Sequence, residues 1–315
     1  MIIRLTLDRP WSVLRCVYEP LAGLGVAAVF AASAAAQQAP PHVSDDSLHI
    51  DGVFNSDLPR TEHKFNLKLV VHPHFGDFTQ RDYLRVPVRL IYGVTGRWEI
   101  SEETDTYFAH GLRKKPFFSQ EGLSGVGVAT KYDIGNHLWP GWDIGVGAGY
   151  IMPVSNPPAE VTDGLKHLNS FVTFAHQLER HPNLRVFWGV GSDLVRQTSI
   201  PFERTKNELR DNAQNLTVGG VWAHGAVTYT LETSYSTTRL TGHTARDLYQ
   251  VRPGFILELP KKWTFHSKGQ WLFGLSVNAE HGPDGNSVGA SGKLRINFDF
   301  KNWWRSKKPP PSPAP

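Results

Sequence analysis

The chain has 315 residues, a formal net charge of +4, 29 glycines, 22 prolines and one cysteine. Basic and acidic residues are interspersed rather than clustered, which disfavours a protein that binds nucleic acid. The single cysteine, Cys16, precedes the first apolar run. The chain after that run therefore has no thiol for a disulfide, a zinc site or nucleophilic catalysis.

The first 36 residues resemble a secretory signal peptide. Arg4, Arg9 and Arg15 precede the short uncharged run PLAGLGVAAVFAASAAA, which ends in small residues. A transmembrane anchor is the alternative, but the run is marginal in length for a bilayer span and is rich in Ala and Gly rather than Leu. We therefore predict a signal peptide at residues 1–36, cleaved after Ala36, and secretion of the remaining chain.

Apolar residues alternate with small, polar or charged residues in most of the segments that follow. In the run from Leu84 to Tyr92, for example, every second residue is Leu, Val or Tyr. A period of two residues is typical of a β-strand with one apolar face. The pattern predicts about twelve strands, near residues 64–75, 82–93, 97–108, 122–133, 141–152, 166–178, 183–195, 214–223, 225–236, 246–259, 262–278 and 287–300.

Three features favour a membrane barrel over a soluble sandwich or a lipocalin-like barrel. Many segments reach ten residues, as a tilted bilayer crossing requires. The polar face is rich in charge and glycine, and short turns alternate with mostly longer polar loops. We therefore predict an all-β protein, a transmembrane antiparallel up-and-down β-barrel of about 12 strands at residues 63–300. It must close, because an open edge in lipid leaves backbone groups unsatisfied.

The barrel pattern also predicts location and flanks. An even number of strands in a Gram-negative outer membrane places both termini in the periplasm. Residues 37–62 are polar and proline-containing, and we interpret them as a periplasmic linker, with a plug inside the lumen as the alternative. Residues 301–315 form a Pro-rich basic tail, predicted to be periplasmic.

Tryptophans near the short turns predict anchors at the interface with outer-membrane lipid. The set is Trp98, Trp139, Trp142, Trp222 and Trp263. One residue fits the pattern poorly: Glu102 falls on the predicted lipid face, so we expect a bulge there or a position near an interface.

The final strand ends in alternating apolar residues. Its pattern resembles the C-terminal signal by which the outer-membrane assembly machinery recognises barrels, carried here by Leu294, Ile296, Phe298 and Phe300.

Three segments resemble a particular family: VRLIYGVTGRWEI (88–100), GLSGVGVATKYDI (122–134) and WDIGVGAGYIMPVS (142–155). They are similar to the outer-membrane transporter family associated with the MetA pathway of phenol degradation, in which a YGLTDRWEL-like turn precedes a GLGD…G.KY strand. This chain departs in having Ser124 and Gly125 where Gly-Asp is usual, and in continuing past Phe300. The resemblance implies an outer-membrane barrel with a role in transport but implies little about the substrate. We expect small solutes, with small hydrophobic or aromatic compounds among the candidates.

Strand parity predicts which charged and polar side chains face the lumen. They could form a wet, selective path, or they could pair across a narrow lumen and fill it. We predict a passive channel or transporter for a small solute, with a structural barrel without flux as an open alternative. The candidate lumen-lining residues are Lys64, Lys68, His72, His74, Arg85, Arg89, Lys131, Arg185, Asp193, Glu232, Arg252, Glu258, His266, Lys268, Lys293 and Arg295.

The main rival function is a lipid-modifying hydrolase of the outer membrane. His176 and Ser170 share the outward face of one predicted strand, but no local hydrolase signature accompanies them. His72 and His74 share a face and could bind a metal, yet no carboxylate is positioned with them, so a polar lining role is favoured. We therefore predict no enzyme activity, no metal and no cofactor.

Overall fold

The structure is a computed structural model, and no helix in the part that it describes is long and apolar enough to cross a membrane. The predicted signal peptide, Phe300 and the 301–315 tail lie outside the described residues. The described residues are 52–75, 83–109, 120–155, 157, 161–200, 207, 209–241, 245–264 and 269–298.

The described strands form one antiparallel sheet that closes on itself. β1 and β2 occupy a single position, because both pair with β3 on one side and with β13 on the other. The strands are β1 (Leu67–Val71), β2 (His74–Phe75), β3 (Tyr83–Gly93), β4 (Trp98–Ala109), β5 (Gln120–Gly135), β6 (Asp143–Pro153), β7 (Leu165–Gln177), β8 (Leu184–Gln197), β9 (Ala213–His224), β10 (Val227–Thr237), β11 (Asp247–Glu258), β12 (Trp271–Gly282) and β13 (Gly285–Phe298).

The prediction of a 12-strand, up-and-down antiparallel barrel is confirmed. Each strand pairs with its neighbours in the chain, and β1 with β2 closes the ring against β13. The chain enters β1 and leaves β13 at one end of the barrel, which also carries the connection between β3 and β4. We call this the turn end and the opposite end the loop end.

The largest error of the sequence analysis lies in the strand predicted at 262–278. Lys261–Trp263 form a 3-10 turn, in which the Trp263 N–H donates to the Pro260 carbonyl, and the strand starts only at Trp271. Alternation in this stretch is therefore no guide to structure. The next connection is shorter than predicted, because Gly282 pairs with Gly285 across a tight turn. Gly285 has φ +92°, which favours glycine.

The two faces of the barrel wall are the inverse of those of a soluble protein. Apolar side chains in mid-strand, such as Val128 (61% exposed) and Leu231 (50%), point outward. Charged side chains such as Lys68, Glu232 and Arg295 are 3–4% exposed inside. An apolar exterior around a charged interior is the arrangement that a lipid environment requires.

Glu102 departs from what the sequence analysis expected. The register between β4 and β5 does shift, but only between Asp105 and Thr106, three residues beyond it. Glu102 is exposed on the outer face, directly opposite Leu90 on one side and Val128 on the other. The bulge therefore does not turn this carboxylate away from the apolar surface.

Two arginine substitutions test which face meets lipid. Leu231 lies near the middle of β10, so Leu231→Arg should lower the free energy of unfolding in lipid vesicles by about 2–4 kcal/mol. Val128→Arg should cost less, because Glu102 lies opposite and can pair with the new charge. Urea titration of folding measures both, with Leu231→Ile as the control. Equal costs at the two positions would contradict the outward placement of Glu102.

Candidate functional site

The barrel interior is occupied by the chain's own N-terminal segment. Residues 52–62, here called the plug, include Val53, Phe54, Leu58 and Pro59, all at most 2% exposed. The sequence predicts a periplasmic linker at residues 37–62, with a plug inside the lumen as the alternative. The described part of that segment instead has the alternative arrangement, a plug inside the lumen.

A carboxylate on the barrel wall anchors the plug. Glu232 of β10 accepts hydrogen bonds from the backbone N–H groups of Phe54 (2.8 Å), Asn55 (3.1 Å) and Ser56 (2.9 Å). The Ser56 hydroxyl donates a further bond of 2.8 Å. Successive N–H groups that converge on one anion form a concave nest, so these bonds are charge-assisted.

Two cations on β13 bind carbonyl groups of the same stretch of the plug. The Lys293 ammonium donates to the carbonyls of Val53 and Phe54, and the Arg295 guanidinium donates to those of Gly52 and Val53. Wall charges of both signs therefore hold the plug backbone, which fixes its position and its direction.

Glycines on the inner face make room for the plug. A Cβ on Gly254 would lie 2.6 Å from the Phe54 ring, and one on Gly274 would lie 3.0 Å from it. A Cβ on Gly145 would lie 2.6 Å from Cα of Pro59. These distances are too short for a side chain, so the strand glycines form notches that the plug fills.

The plug contributes its own carboxylate, Asp57. It lies 3.5 Å from Arg89 of β3, which also donates a 2.7 Å bond to Glu103 of β4. Burial opposes ionisation of Asp57, but nearby basic groups, Arg89 first among them, outweigh it and hold the pKa of the carboxyl below its usual value. Asp57 is therefore an anion bound in a basic surrounding.

Ion pairs hold the end of the plug where it leads into β1. Glu62 lies 2.6 Å from Lys68, and its N–H donates to Glu99 over 2.6 Å. Glu99 in turn pairs with Lys131 at 3.1 Å. All four side chains are at most 8% exposed, so this chain of charges is internally neutralised rather than open to a solute.

Connections at the loop end fold back over the interior. His167 of β7 bridges Asp193 (2.9 Å) and Asp163 (2.7 Å), and Arg85 donates to the carbonyl of Val161, which is fully buried. On the other side, the buried Asn207 donates to Gly285. The barrel mouth at this end is therefore partly covered.

Two cavities flank the stretch from Asn55 to Asp57. One, of about 340 Å³, lies against β7, β8 and β9 and is lined by side chains such as Asn169, Thr173 and Thr217. The other, of about 180 Å³, lies against β1, β3, β4, β5 and β13. The plug thus narrows the interior without filling it.

The structure brings most of the predicted lumen residues together around the plug. Lys64 is exposed in the turn before β1, Glu258 is exposed at the turn end, and His266 and Lys268 lie outside the described residues. His72 and His74 line the smaller cavity, with ring centroids 3.9 Å apart. The remaining side chains, buried or half-buried on the inner face, belong to Lys68, Arg85, Arg89, Lys131, Arg185, Asp193, Glu232, Arg252, Lys293 and Arg295.

The five predicted tryptophans lie at the turn end. Trp139 and Trp142 have ring centroids 5.4 Å apart, and Trp142 stacks on His176 at 5.1 Å. Trp222 and Trp263 are 50% and 65% exposed. The indole N–H of Trp98 donates to Thr130 over 2.7 Å. Such partly exposed rings suit a membrane interface.

The hydrolase alternative finds no support in the placement of its residues. His176 lies 2.6 Å from the Gly141 carbonyl and stacks on Trp142. Ser170 lies six residues away on β7, which at about 3.3 Å per residue is roughly 20 Å. A serine and a base must lie within hydrogen-bond reach to react.

In the described part of the chain, no three His, Cys, Asp or Glu residues form a group that could hold a metal.

The sequence analysis missed the partners of the lumen residues on the plug itself. Glu232 and Lys293 are predicted there to contact a solute or to pair with other side chains across the lumen, whereas both bind plug backbone. The one available signal was the placement of Gly145, Gly254 and Gly274 at inward positions of long strands, where a glycine often marks a close backbone approach.

Loss of the Glu232 charge should loosen the plug. Glu232→Gln keeps the shape but removes the charge that three N–H groups share, which should weaken docking by about 2 kcal/mol. In a Cys16→Ser, Asn55→Cys background, we expect maleimide labelling at residue 55 to accelerate about ten-fold or more. Glu258→Gln, at an exposed carboxylate, is the matched control. An unchanged labelling rate would mean that Glu232 does not hold the plug.

Comparisons with known proteins agree with this fold. No family model and no curated protein matches the sequence. The crystal structure of an outer membrane channel from Pseudomonas putida F1 is similar, with a TM-score of 0.51 and 8% identity over 75% of this chain and 95% of that one. The KdgM porin (TM-score 0.42, 10% identity, 74% and 99%) and the CymD monoaromatic hydrocarbon channel (0.37, 10%, 75% and 88%) are more distant. The chain thus has the fold of an outer-membrane β-barrel.

Proposed function

We propose that this protein is a passive outer-membrane channel for small polar solutes, narrowed by its own N-terminal plug. The observation that carries the proposal is the cavity of about 340 Å³ between the plug and the wall formed by β7, β8 and β9. A cavity of that size lies within the range that binds small molecules.

The lining of this cavity suits polar solutes. Its inward side chains include the amides of Asn169 and Asn215 and the hydroxyls of Thr173 and Thr217, with Phe171 and Phe187 between them. Amides and hydroxyls both donate and accept hydrogen bonds, so they can replace part of a solute's water shell. The rings of Phe171 and Phe187 would also accommodate small hydrophobic or aromatic compounds.

Few side-chain atoms project from the wall into this cavity at β8, because Gly189 and Gly191 have no side chains. The plug is bound to β10 through Glu232 and to β13 through Lys293. The larger of the two cavities lies beside β7, β8 and β9, where a solute would pass between plug and wall.

A channel of this kind also has a defined orientation in the outer membrane and defined partners there. Both described ends of the barrel chain lie at the turn end, and an outer-membrane barrel with this topology has that end in the periplasm. The exposed tryptophans there would rest in outer-membrane lipid, and the alternating residues from Leu294 to Phe300 would be read by the assembly machinery. We do not propose an enzyme activity.

Single-channel recording in planar bilayers tests the function. We expect the wild-type protein to show discrete current steps, and Thr217→Trp to lower the conductance by at least half, because a large indole fills the cavity. Val218→Trp is the matched control, since the neighbouring side chain is 52% exposed on the outer face. Absence of current from the wild type and from the looser Glu232→Gln protein would overturn the channel function.

A further inference from the structure

The smaller cavity, of about 180 Å³, has a different character from the larger one. Its lining contains five basic and three acidic side chains, together with His72 and His74. The basic residues are Lys68, Arg89, Lys131, Lys293 and Arg295, and the acidic residues are Asp57, Glu99 and Glu103. Lys68 is neutralised by Glu62, so four basic side chains face three acidic ones around a space that is large enough for a small molecule.

The acidic side chains of the lining are already engaged by particular cations. Glu99 pairs with Lys131, and Arg89 lies between Glu103 and Asp57. Lys293 is different, because within the described residues it forms no ion pair and donates only to plug carbonyls. A carbonyl satisfies a hydrogen bond but does not neutralise a charge, so an anion nearby gains from this ammonium.

The plug shows where such an anion fits. Asp57 is a carboxylate tethered at the edge of the cavity, 3.5 Å from the Arg89 guanidinium and 38% exposed at its side chain. The contact is longer than a tight ion pair, so the tether does not optimise it. A free carboxylate of suitable shape can approach the same cations more closely.

One polar atom in the lining of this cavity has no hydrogen-bond partner among the described residues. This atom is Nε2 of His72, which is buried. A buried polar atom without a partner is uncommon, and one that borders a cavity is satisfied by whatever fills the cavity. A solute with several oxygen atoms would supply that partner.

We propose that this cavity binds small carboxylate solutes, which compete with Asp57 for the basic wall formed by Arg89, Lys293 and Arg295. The inference names a substrate class for the proposed channel and rests on that function only for the solute's route to the site. Guanidinium groups favour this choice, because their geometry matches a carboxylate in two parallel hydrogen bonds.

Isothermal titration of the full-length protein in detergent with succinate tests the site. Succinamide has a similar shape without charge, and inorganic phosphate is an anion of different geometry. We expect succinate to bind at least ten-fold more tightly than either. Lys293→Gln should weaken succinate at least ten-fold, and Asp57→Asn should strengthen it several-fold by removing the competitor. Lys166→Gln, at an exposed lysine on the outer face, should change nothing.

The outcomes separate the site from the channel. Equal binding of succinamide or phosphate, or succinate binding that survives Lys293→Gln unchanged, would overturn the carboxylate site. Heat-modifiable gel mobility of each variant shows that the barrel has folded. Titration in detergent does not require transport, so succinate binding without current would refute the channel and leave the site. Current without succinate binding would refute the site and leave the channel.

Discussion

The carboxylate of Glu232 lies 3% exposed inside the barrel, where an uncompensated charge would be costly. Three consecutive N–H groups of the plug supply its hydrogen bonds. Lys293 and Arg295 direct their donors to carbonyls of the same stretch. Wall and plug therefore depend on each other, because each satisfies polar groups that the other buries. Much of the interior charge serves this internal contact rather than a solute.

This dependence separates the interior into regions with different roles. Near the turn end, pairs such as Lys68 with Glu62 neutralise one another within the protein. Beside β7, β8 and β9, the lining is mostly neutral and leaves a cavity of about 340 Å³. A route for solutes requires both, since a plug that is held firmly by β10 and β13 leaves a defined gap beside β7, β8 and β9. The two interpretations of the charged lumen, filled and open, thus apply to different parts of one barrel.

The fold was largely predictable from sequence because lipid imposes a simple rule on every strand. Outward positions must be apolar, so alternation from Leu84 to Tyr92 reveals both the strand and its face. The rule says nothing about connections, which is why the segment after Pro260 was misassigned. It also tolerates single exceptions such as Glu102, whose exposed position could not be derived from the pattern. The alternation along the strand predicts that Glu232 faces the lumen, but it does not predict which groups Glu232 contacts.

The plug was harder to predict because its sequence carries little signal of its own. Residues 52–62 show no helix or strand periodicity, so their sequence resembles a linker. Their burial depends on wall residues about 180 to 240 positions away. The information lies in the wall, where Gly254 and Gly274 leave space for Phe54. At Gly254 and Gly274 the Phe54 ring approaches closely, whereas Gly189 and Gly191 border the larger cavity. Inward glycines beside buried charges of both signs therefore indicate a lumen built around a peptide segment.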